Sequence, residues 1–287
     1  MDNKRLLLVK LLLIFVICSV FGQKFVTESN SNEIIAYGLH HKHLHAGRDM
    51  KDPQNIHIVS LDKSYLQNSF NLDLVYSDNL FFSTSDKAEE YEALAAVNGG
   101  FFDVKNAGSI SFIEYDGQSV AIRSKRVETS PSKKQNIDGA LIFTKMGDLI
   151  IERARPDSFY LEAYEEKWVL VAGPLLIEKG VKTDLLDNDF VSKRHPRTVV
   201  AKTKSDILFI TIDGRHEEAS GMNLLELQDY LVSLKTIDAI NLDGGGSTTM
   251  YVDGKMSYGV VNCPSDNKKF DHLGERKVAN AILILKK

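Results

Sequence analysis

The residues between positions 239 and 250 place polar side chains that can act on a ligand next to a run of glycines. The stretch reads AINLDGGGSTTM and brings Asn241 and Asp243 just before three glycines. If 239–243 is a strand, both polar side chains point to one face, because side chains alternate across a strand. An unpaired carboxylate near the end of a buried strand is costly, which favours a functional role for Asp243. The alternative is a tight turn that Asp243 merely caps.

The glycines themselves suggest what the polar groups act on. Gly244, Gly245 and Gly246 allow the backbone to approach a ligand without side chains in the way. Their N–H groups would line a concavity that binds an anion, and phosphate suits such a concavity. Ser247 and Thr248 follow directly and add hydroxyl groups to the predicted cradle.

A second stretch, AAVNGGFFD, repeats this arrangement. An apolar run ends at Asn98, and Gly99 and Gly100 follow it. Phe101 and Phe102 then offer aromatic surface that could stack on a sugar ring. The alternative is an Asn-Gly hairpin with both phenylalanines in the core.

Two further stretches bring arginines next to probable strands. In ITIDGRHEEASG, Asp213 ends an apolar run and Arg215 follows it after one glycine. In KRHPRTVVA, Arg194 and Arg197 flank a proline just before a strand. A guanidinium group offers a fork of donors that matches phosphate. The alternative for KRHPRTVVA is a basic surface loop.

The histidines and the remaining cysteine give weaker signals. His41, His43 and His45 would share one face of an extended strand. Metal sites normally draw ligands from separate elements with supporting groups behind them, and no partner is evident, so we expect no metal. Cys263 is expected to be a buried, unreactive thiol.

The elements that must position these groups are mostly short strands. Hairpin patterns occupy 109–122, 140–154, 198–214 and 248–256. Helical patterns occupy 86–96 and 223–234, the second with an apolar stripe that Ser220 or Asn223 would cap. Strands and helices do not alternate, so we predict a single α+β domain with a mixed, largely antiparallel curved sheet and a few packed helices.

The N-terminus has the pattern of a signal peptide. Lys4 and Arg5 precede an apolar run over residues 6–21, and Gly22 suits cleavage after it. We therefore predict a secreted or periplasmic protein without stable membrane insertion; an uncleaved anchor and a lipoprotein are the alternatives. Residues 23–33 are polar and are predicted to be a loose leader. The net charge of −4 argues against nucleic acid as a partner.

Seven motifs together resemble the phosphodiester glycosidase family. They are NGGFFD, AGPLLIEKG, HPRTVVA, TIDGR, SGMNLLEL, NLDGGGSTTM and ERKVANAILI. The resemblance covers 90–287, so residues 1–22 would be the signal peptide and 23–89 an N-terminal leader with strands packed on the core. It implies hydrolysis of a sugar-1-phosphodiester, such as an N-acetylglucosamine-1-phosphodiester, that releases the sugar and leaves a phosphomonoester. The expected partner is thus a phosphorylated glycan or sugar phosphodiester, with no cofactor.

The resemblance also implies roles for residues. Asp213 and Asp243 form the expected carboxylate pair, and Glu226 could replace either; which one is nucleophile or base stays open. The expected phosphate clamps are Arg197 and Arg215, with Arg276 a weaker third. Sugar hydroxyls or phosphate would be bound by Asn98, Gly99, Gly100, Asn241, Gly244, Gly245, Gly246, Ser247 and Thr248.

Two functions of other classes compete with this one. A non-catalytic protein that binds carbohydrate or phosphoglycan would keep the glycines and aromatics but would not need the carboxylates. A metal-dependent phosphodiesterase would instead cut the P–O bond, with Asp213, Asp243 and the histidines of 40–45 as ligands. A homodimer is an open alternative to a monomer.

Overall fold

Three antiparallel sheets and five short helices make up the computed structural model, which describes residues 29–46, 52–122, 136–162, 165–256 and 258–287. The predicted signal peptide, 1–22, lies outside the described residues. Every strand pair within the described ranges is antiparallel, so the largely antiparallel character is confirmed and the predicted mixed pairing is not seen there. The α+β class is confirmed, although three sheets replace the one curved sheet that we expected.

The largest sheet has eight strands in the order β1-β2-β3-β14-β13-β15-β11-β12. Its strands are β1 (Ser29–Ala36), β2 (Leu39–Ala46), β3 (Gln54–Asp62), β11 (Leu175–Glu178), β12 (Val181–Lys182), β13 (Arg197–Lys202), β14 (Asp206–Ile212) and β15 (Asp238–Asn241). The central strands β14 and β15 end, and β13 begins, beside the predicted site residues.

Two smaller sheets complete the fold. The five-stranded sheet, in the order β7-β6-β10-β8-β9, consists of β6 (Ile113–Tyr115), β7 (Gln118–Ala121), β8 (Gly139–Thr144), β9 (Leu149–Arg153) and β10 (Glu166–Ala172). The four-stranded sheet, in the order β16-β5-β17-β4, consists of β4 (Phe70–Tyr76), β5 (Ala95–Asn98), β16 (Met250–Val252) and β17 (Asn280–Lys286).

The helices are α1 (Lys63–Leu66), α2 (Thr84–Glu90), α3 (Asp157–Glu162), α4 (Asp189–Ser192) and α5 (Leu224–Ser233). Helix α5 begins where the sequence predicts, since the Asn223 side chain accepts from Glu226 N and the Glu226 side chain accepts from Asn223 N. Its leucines cover one face of the largest sheet, where they pack on Val199 and Ile210.

The opposite face of the largest sheet meets both smaller sheets in one shared core. Val200 and Phe209 point to this side, next to Trp168 of β10 and Ile282 of β17. Side chains alternate along a strand, so neighbouring residues on β13 and β14 pack on opposite sides of the sheet. One side faces helix α5 and the other faces the smaller sheets. Because both of their faces are buried, the central strands are nearly continuous apolar runs. These runs stop at the polar residues of the predicted site.

The N-terminal part of the chain differs from the prediction. Residues 29–33 belong to strand β1 instead of a loose leader, because β1 pairs with β2 along its length. Helix α2 ends at Glu90, earlier than predicted, because Glu92 takes a left-handed conformation with φ +52 before the chain enters β5. In the described ranges, no helix combines the length and apolar character needed to cross a membrane.

Candidate active site

A tight turn after β15 carries Asp243 beyond the edge of the largest sheet. The backbone N–H of Leu242 donates to Thr198 O at 2.8 Å, and that of Asp243 donates to Gly99 O at 3.0 Å. The chain then forms a 3₁₀ turn over Gly245–Ser247. Asp243 is thus held between the segment that follows β5 and the start of β13.

The glycines of this turn allow other parts of the protein to approach the backbone. A β-carbon at Gly244 would lie 2.6 Å from Pro196 O, a distance that side chains do not tolerate. Gly245 has φ +63, and a β-carbon there would lie 2.8 Å from a guanidinium nitrogen of Arg215. The run of glycines therefore serves close packing and gives an arginine access to the turn.

The amides of the turn are partly used within the protein. Gly244 N donates to Asp243 Oδ1 at 3.0 Å, and Gly245 N donates to Pro196 O at 2.9 Å. These two N–H groups do not face outward, so positive charge at the turn comes chiefly from guanidinium groups.

Two arginines lie against the turn. Arg215 is exposed, and within the described residues no hydrogen bond or ion pair engages its guanidinium group. Arg276 is partly exposed; a β-carbon at Gly246 would lie 2.5 Å from its guanidinium nitrogen. Its Nε donates to Asp266 Oδ1 at 3.0 Å, so part of its charge is balanced. Arg215 is therefore the cation most available to an anionic ligand.

Asp243 has the electrostatic environment of a reactive carboxyl group. Burial raises its pKa to about 6, while the Ser247 hydroxyl, Gly244 N and the charges of Arg276 and Arg215 oppose that rise. The residue as a whole is partly exposed, in contrast to Asp213. Perturbed carboxyls in such surroundings are frequent at functional sites.

Asp213 occupies a different environment, although it lies in the same region. Its side chain is only 1% exposed. Asn55 Nδ2 donates to Oδ2 at 2.7 Å, Asn262 Nδ2 donates to Oδ1 at 2.8 Å, and Cys263 N donates to Oδ2 at 2.8 Å. Burial raises its pKa to about 6 despite these donors. The carboxylate thus joins β3, the end of β14 and the segment after 260, and its oxygens face protein donors.

The predicted histidine group lies behind Asp213. His43 Nε2 is 2.6 Å from Asn55 Oδ1, and the rings of His43 and His57 stack with centroids 4.1 Å apart. His41 Nε2 and His57 Nδ1 share a hydrogen bond of 3.1 Å. Over the described residues, no three His, Cys, Asp or Glu side chains converge as metal ligands do. Cys263 is buried, as expected.

The predicted binding residue Asn98 is fully enclosed. Its Nδ2 donates to Asp243 O at 2.7 Å, while its Oδ1 accepts from Thr198 Oγ1 at 2.7 Å and from Thr249 N at 3.2 Å. Asn98 therefore ties the turn to β5 and β13, and a contact with a sugar stays a prediction. Gly99 N donates to Asn280 O at 2.9 Å and Gly100 N donates to Asn280 Oδ1 at 2.6 Å, so these amides are used as well.

Other predicted binding groups near the turn are also buried. Asn241 Nδ2 donates to Gly173 O at 3.0 Å, whereas its Oδ1 has no hydrogen-bond partner among the described residues. Ser247 and Thr248 are fully buried. Binding of a ligand by these side chains stays a prediction.

Arg197 lies inside the protein next to the site. Its Nε donates to Met222 O at 3.0 Å, and its Nη2 donates to Phe190 O at 2.9 Å and to Lys193 O at 3.0 Å. Burial and the neighbouring Arg215 lower its pKa to about 10. Three carbonyl contacts and 1% exposure give it a framework position, and its predicted phosphate contact stays a prediction.

Glu226 supports the start of α5. It completes the helix cap with Asn223, and Arg194 Nε donates to its Oε2 at 3.0 Å. Arg194 Nε also lies 3.1 Å from Oε1, so both oxygens of this carboxylate already accept hydrogen bonds. A catalytic role for Glu226 stays a prediction that a substitution can test.

The predicted aromatic pair divides between core and surface. Phe102 is buried and packs edge-on against Phe81. Phe101 is partly exposed and meets Phe190 with centroids 6.1 Å apart. Phe101 packs against a core cluster with part of its surface exposed, so stacking of a sugar on it stays a prediction, and Phe102 belongs to the core.

Sequence reasoning missed the residues that hold the carboxyl groups in place. Asn55, Asn262 and Asn280 each donate to, or accept from, backbone or carboxylate groups of the site. Each is at most 4% exposed, a rare condition for asparagine. The only signal for them was their position at the ends of apolar runs, which many turn residues share.

Comparison with known proteins decides the family. The sequence profile described as phosphodiester glycosidase matches residues 91–285. The chain belongs to this family. The family prediction is thereby confirmed, and the homologues in this family are hydrolases of phosphodiester glycosidic bonds.

The curated relatives of this phosphodiester glycosidase chain are distant. N-acetylglucosamine-1-phosphodiester alpha-N-acetylglucosaminidase of Bos taurus is 25% identical over 181 residues, which are 60% of this chain and 33% of the relative. The Homo sapiens protein of the same name is 23% identical over 194 residues, 64% of this chain and 36% of the relative. The match therefore spans about a third of the length of these relatives.

Solved structures of two proteins have the same fold. The zebrafish N-acetylglucosamine-1-phosphodiester alpha-N-acetylglucosaminidase catalytic domain, auto-inhibited by its pro-peptide, superposes with a TM-score of 0.67 at 20% identity, covering 91% of this chain and 89% of that one. A hypothetical protein from Synechocystis gives 0.62 at 15% identity, covering 90% and 64%. At these identities the likeness concerns the fold alone.

Proposed function

We propose that the chain hydrolyses a sugar-1-phosphodiester, releasing the sugar and leaving a phosphomonoester. An N-acetylglucosamine-1-phosphodiester or a close analogue is the proposed substrate class, because both curated relatives are named for that substrate. The observation that carries the proposal is the proximity of a partly exposed Asp243 to Arg215 and Arg276 on one glycine turn. A carboxyl group and two cations at one turn match the needs of this reaction.

The arginines would bind the phosphate of the diester. A phosphodiester carries one negative charge, and a guanidinium group binds it through two parallel hydrogen bonds. Arg215 has no competing ion pair within the described ranges, which favours it as the principal clamp. Arg276 shares its charge with Asp266 and would act as the second contact.

The bond that breaks is the one between the anomeric carbon and the phosphate oxygen. Both electrons of that bond stay on the oxygen, so the leaving phosphomonoester gains a second negative charge. Arg215 and Arg276 would stabilise this developing charge, which is the condition for lowering the barrier. The oxygen of a water molecule joins the anomeric carbon; one of its hydrogens stays on the new hydroxyl group, and the other leaves as the proton.

Asp243 would act on the anomeric carbon or on that water. A pKa of about 6 leaves it mostly ionised at neutral pH, as either role requires. Direct attack would give a covalent intermediate and a retained configuration, whereas activation of water would invert it. The stereochemistry of the first sugar product therefore distinguishes the two roles.

Asp213 is better suited to positioning than to direct reaction. Its oxygens accept from Asn55, Asn262 and Cys263, and little of its surface is exposed. The charge of this carboxylate holds the segment after 260 against the end of β14. Its predicted membership of a reacting carboxylate pair stays open to the experiment below.

The decisive experiment uses ¹⁸O-labelled water. Purified protein is incubated with N-acetylglucosamine-1-phospho-6-mannoside or another sugar-1-phosphodiester, and both products are analysed by mass spectrometry. Label in the released sugar supports the proposal, while label in the phosphomonoester means P–O cleavage and overturns it. Asp243→Asn and Asp213→Asn are measured in parallel, with thermal unfolding as the check on folding. EDTA treatment tests the metal-dependent alternative.

The proposed setting of the reaction is outside the cytoplasm. This part rests on the signal-peptide pattern of residues 1–22. N-terminal sequencing of the protein recovered from cells should begin at Gln23. A first residue of Met1 would contradict it. The homodimer likewise stays a prediction, which sedimentation analysis tests.

A further inference from the structure

A stacked pair of rings lies beside the arginine-lined turn. The imidazole of His216 and the ring of Phe270 have centroids 5.1 Å apart and an interplanar angle of 16°. Both side chains are partly exposed. Within the described residues, Phe270 does not pack against any of the hydrophobic cores. The pair therefore has little to do with core packing.

The orientation of His216 is set by its own turn. Its Nδ1 accepts from Glu218 N at 3.2 Å, and its backbone exchanges two hydrogen bonds with Ala219, at 3.2 and 3.1 Å. The preceding residue, Arg215, has φ +64 and directs its guanidinium group over Gly245. The imidazole therefore belongs to the residue that directly follows the proposed phosphate clamp, in a turn fixed by its own hydrogen bonds.

Phe270 belongs to a segment that is anchored in the site on both sides. Before it, Cys263 N donates to Asp213 Oδ2 at 2.8 Å. After it, His272 Nδ1 lies 2.8 Å from Asn262 O, and Arg276 reaches the glycine turn. The ring is thus presented from the same segment that supplies the second arginine.

The way these groups are connected along the chain gives them an order that matches the parts of a diester. Asp243 is held on the side of Asn98 and Gly99, through hydrogen bonds of 2.7 and 3.0 Å. The guanidinium groups lie farther along the turn, over its second and third glycines. The rings attach to the arginine end, through the residue after Arg215 and the segment before Arg276. A sugar reacting at Asp243 would thus direct the other ester group of its phosphate toward the rings.

We propose that the His216–Phe270 pair binds the half of the diester that keeps the phosphate, through the apolar face of a sugar ring. This inference rests on the proposed function. The C–H face of a pyranose is apolar, and covering it with an aromatic surface removes both from water. The pair therefore selects a hexose phosphate as leaving group over a small alcohol phosphate.

The first test measures binding of two monoesters of equal charge, hexose 6-phosphate and methyl phosphate, by calorimetry. The unmodified protein should bind the hexose phosphate about tenfold more tightly, equivalent to about 1.4 kcal/mol. Phe270→Leu keeps apolar bulk but removes the ring face, so it should abolish most of that preference and leave methyl phosphate binding unchanged. Phe159→Leu, which alters a 39% exposed ring on α3, is the matched control and should change neither affinity.

Equal affinities in the unmodified protein, or an equal loss for both probes in Phe270→Leu, would overturn the ring-pair proposal. Thermal unfolding shows whether the variant is folded, and His216→Gln provides a second variant with the same expected effect. If neither monoester binds the unmodified protein, the ring-pair proposal falls, and the hydrolysis assay alone decides the proposed function.

Turnover separates the two proposals. The substrates are a sugar-1-phosphodiester esterified to a hexose and one esterified to methanol. Phe270→Leu should raise KM about tenfold for the hexose ester only, with kcat unchanged. Hydrolysis without any difference between the esters overturns the ring pair and leaves the proposed function standing. A Phe270-dependent preference in binding without hydrolysis of either ester overturns the function and leaves the ring pair standing.

Discussion

Ionisation of Asp243 sets the low-pH side of the activity profile in the proposed mechanism. Burial holds the pKa of this carboxyl at about 6, well above that of an ordinary aspartate. As nucleophile or base it works only when ionised, and the substrate phosphodiester does not titrate in this range. The acid limb of kcat/KM should therefore lie near pH 6.

The size of the effect follows from the titration of one group. At pH 5, a carboxyl group with a pKa of about 6 is roughly one-tenth ionised, so kcat/KM should be about a tenth of its plateau value. An aspartate at its ordinary pKa of about 3.9 would be roughly nine-tenths ionised at that pH. The two cases thus differ by about ninefold at one pH, far beyond the scatter of an initial-rate assay.

The assay measures initial rates on a sugar-1-phosphodiester between pH 4 and pH 9, with the protein returned to pH 7 afterwards to detect inactivation. Arg215→Gln removes a cation that opposes the rise at Asp243, so the limb should move to higher pH while the plateau falls. His272→Gln is the matched control, because His272 acts on the pKa of Asp213. A limb near pH 4, or one that moves with His272→Gln and not with Arg215→Gln, would refute the reasoning.

Three further results are expected. Gly244→Ala should destabilise the protein by about 2 kcal/mol or more in urea unfolding, because its β-carbon would lie 2.6 Å from a carbonyl oxygen. Gly254→Ala is the control, because a β-carbon there would meet no heavy atom within 4 Å. It should cost about 1 kcal/mol for its left-handed φ alone. Burial, followed by neighbouring histidines, holds the pKa of His57 well below its usual value, so the stability it contributes is present above about pH 6.5 and is lost as the pH falls. The urea midpoint should drop between pH 7.5 and pH 5, less so in His57→Gln; a midpoint that rises on acidification would contradict this. Glu226→Gln should lower the free energy of unfolding by about 1 kcal/mol, because it weakens the helix cap and the ion pair with Arg194. The variant should keep kcat within a few-fold of the unmodified protein. Loss of turnover in a folded variant would instead make Glu226 catalytic.

Local pattern was sufficient for much of the secondary structure. The hairpins around Gly117 and Gly147 and the pairing of β13 with β14 lie where turn residues between β-branched runs predict them. Asn223, one of the two caps predicted for α5, is the one that the structure uses, and its spacing to Glu226 is that of a capping box. Hairpins and caps depend on neighbours a few residues apart, so a sequence window contains the interactions that decide them.

The division into three sheets was not readable in this way. Strand β4 pairs with β17 and β3 pairs with β14, across more than a hundred residues of chain. Such pairings depend on which apolar faces meet in a shared core, and an alternating or apolar run is compatible with many partners. Residues 29–33 are polar, so their sequence alone predicts a leader, whereas their strand structure depends on pairing with β2.

At the site as well, the sequence indicates which residue types are present, and the fold decides which of them are exposed. Residue types and glycine spacing pointed to Asp243, Arg215 and the turn that joins them, because the cost of burying a carboxylate and of three adjacent glycines is a property of the residues themselves. Exposure separates four of the six cation and carboxylate candidates: Asp213 and Arg197 are enclosed, whereas Asp243 is partly exposed and Arg215 is exposed. Which groups become enclosed depends on donors brought from distant strands, such as Asn55 and Asn262, and only the packing of the folded chain supplies them.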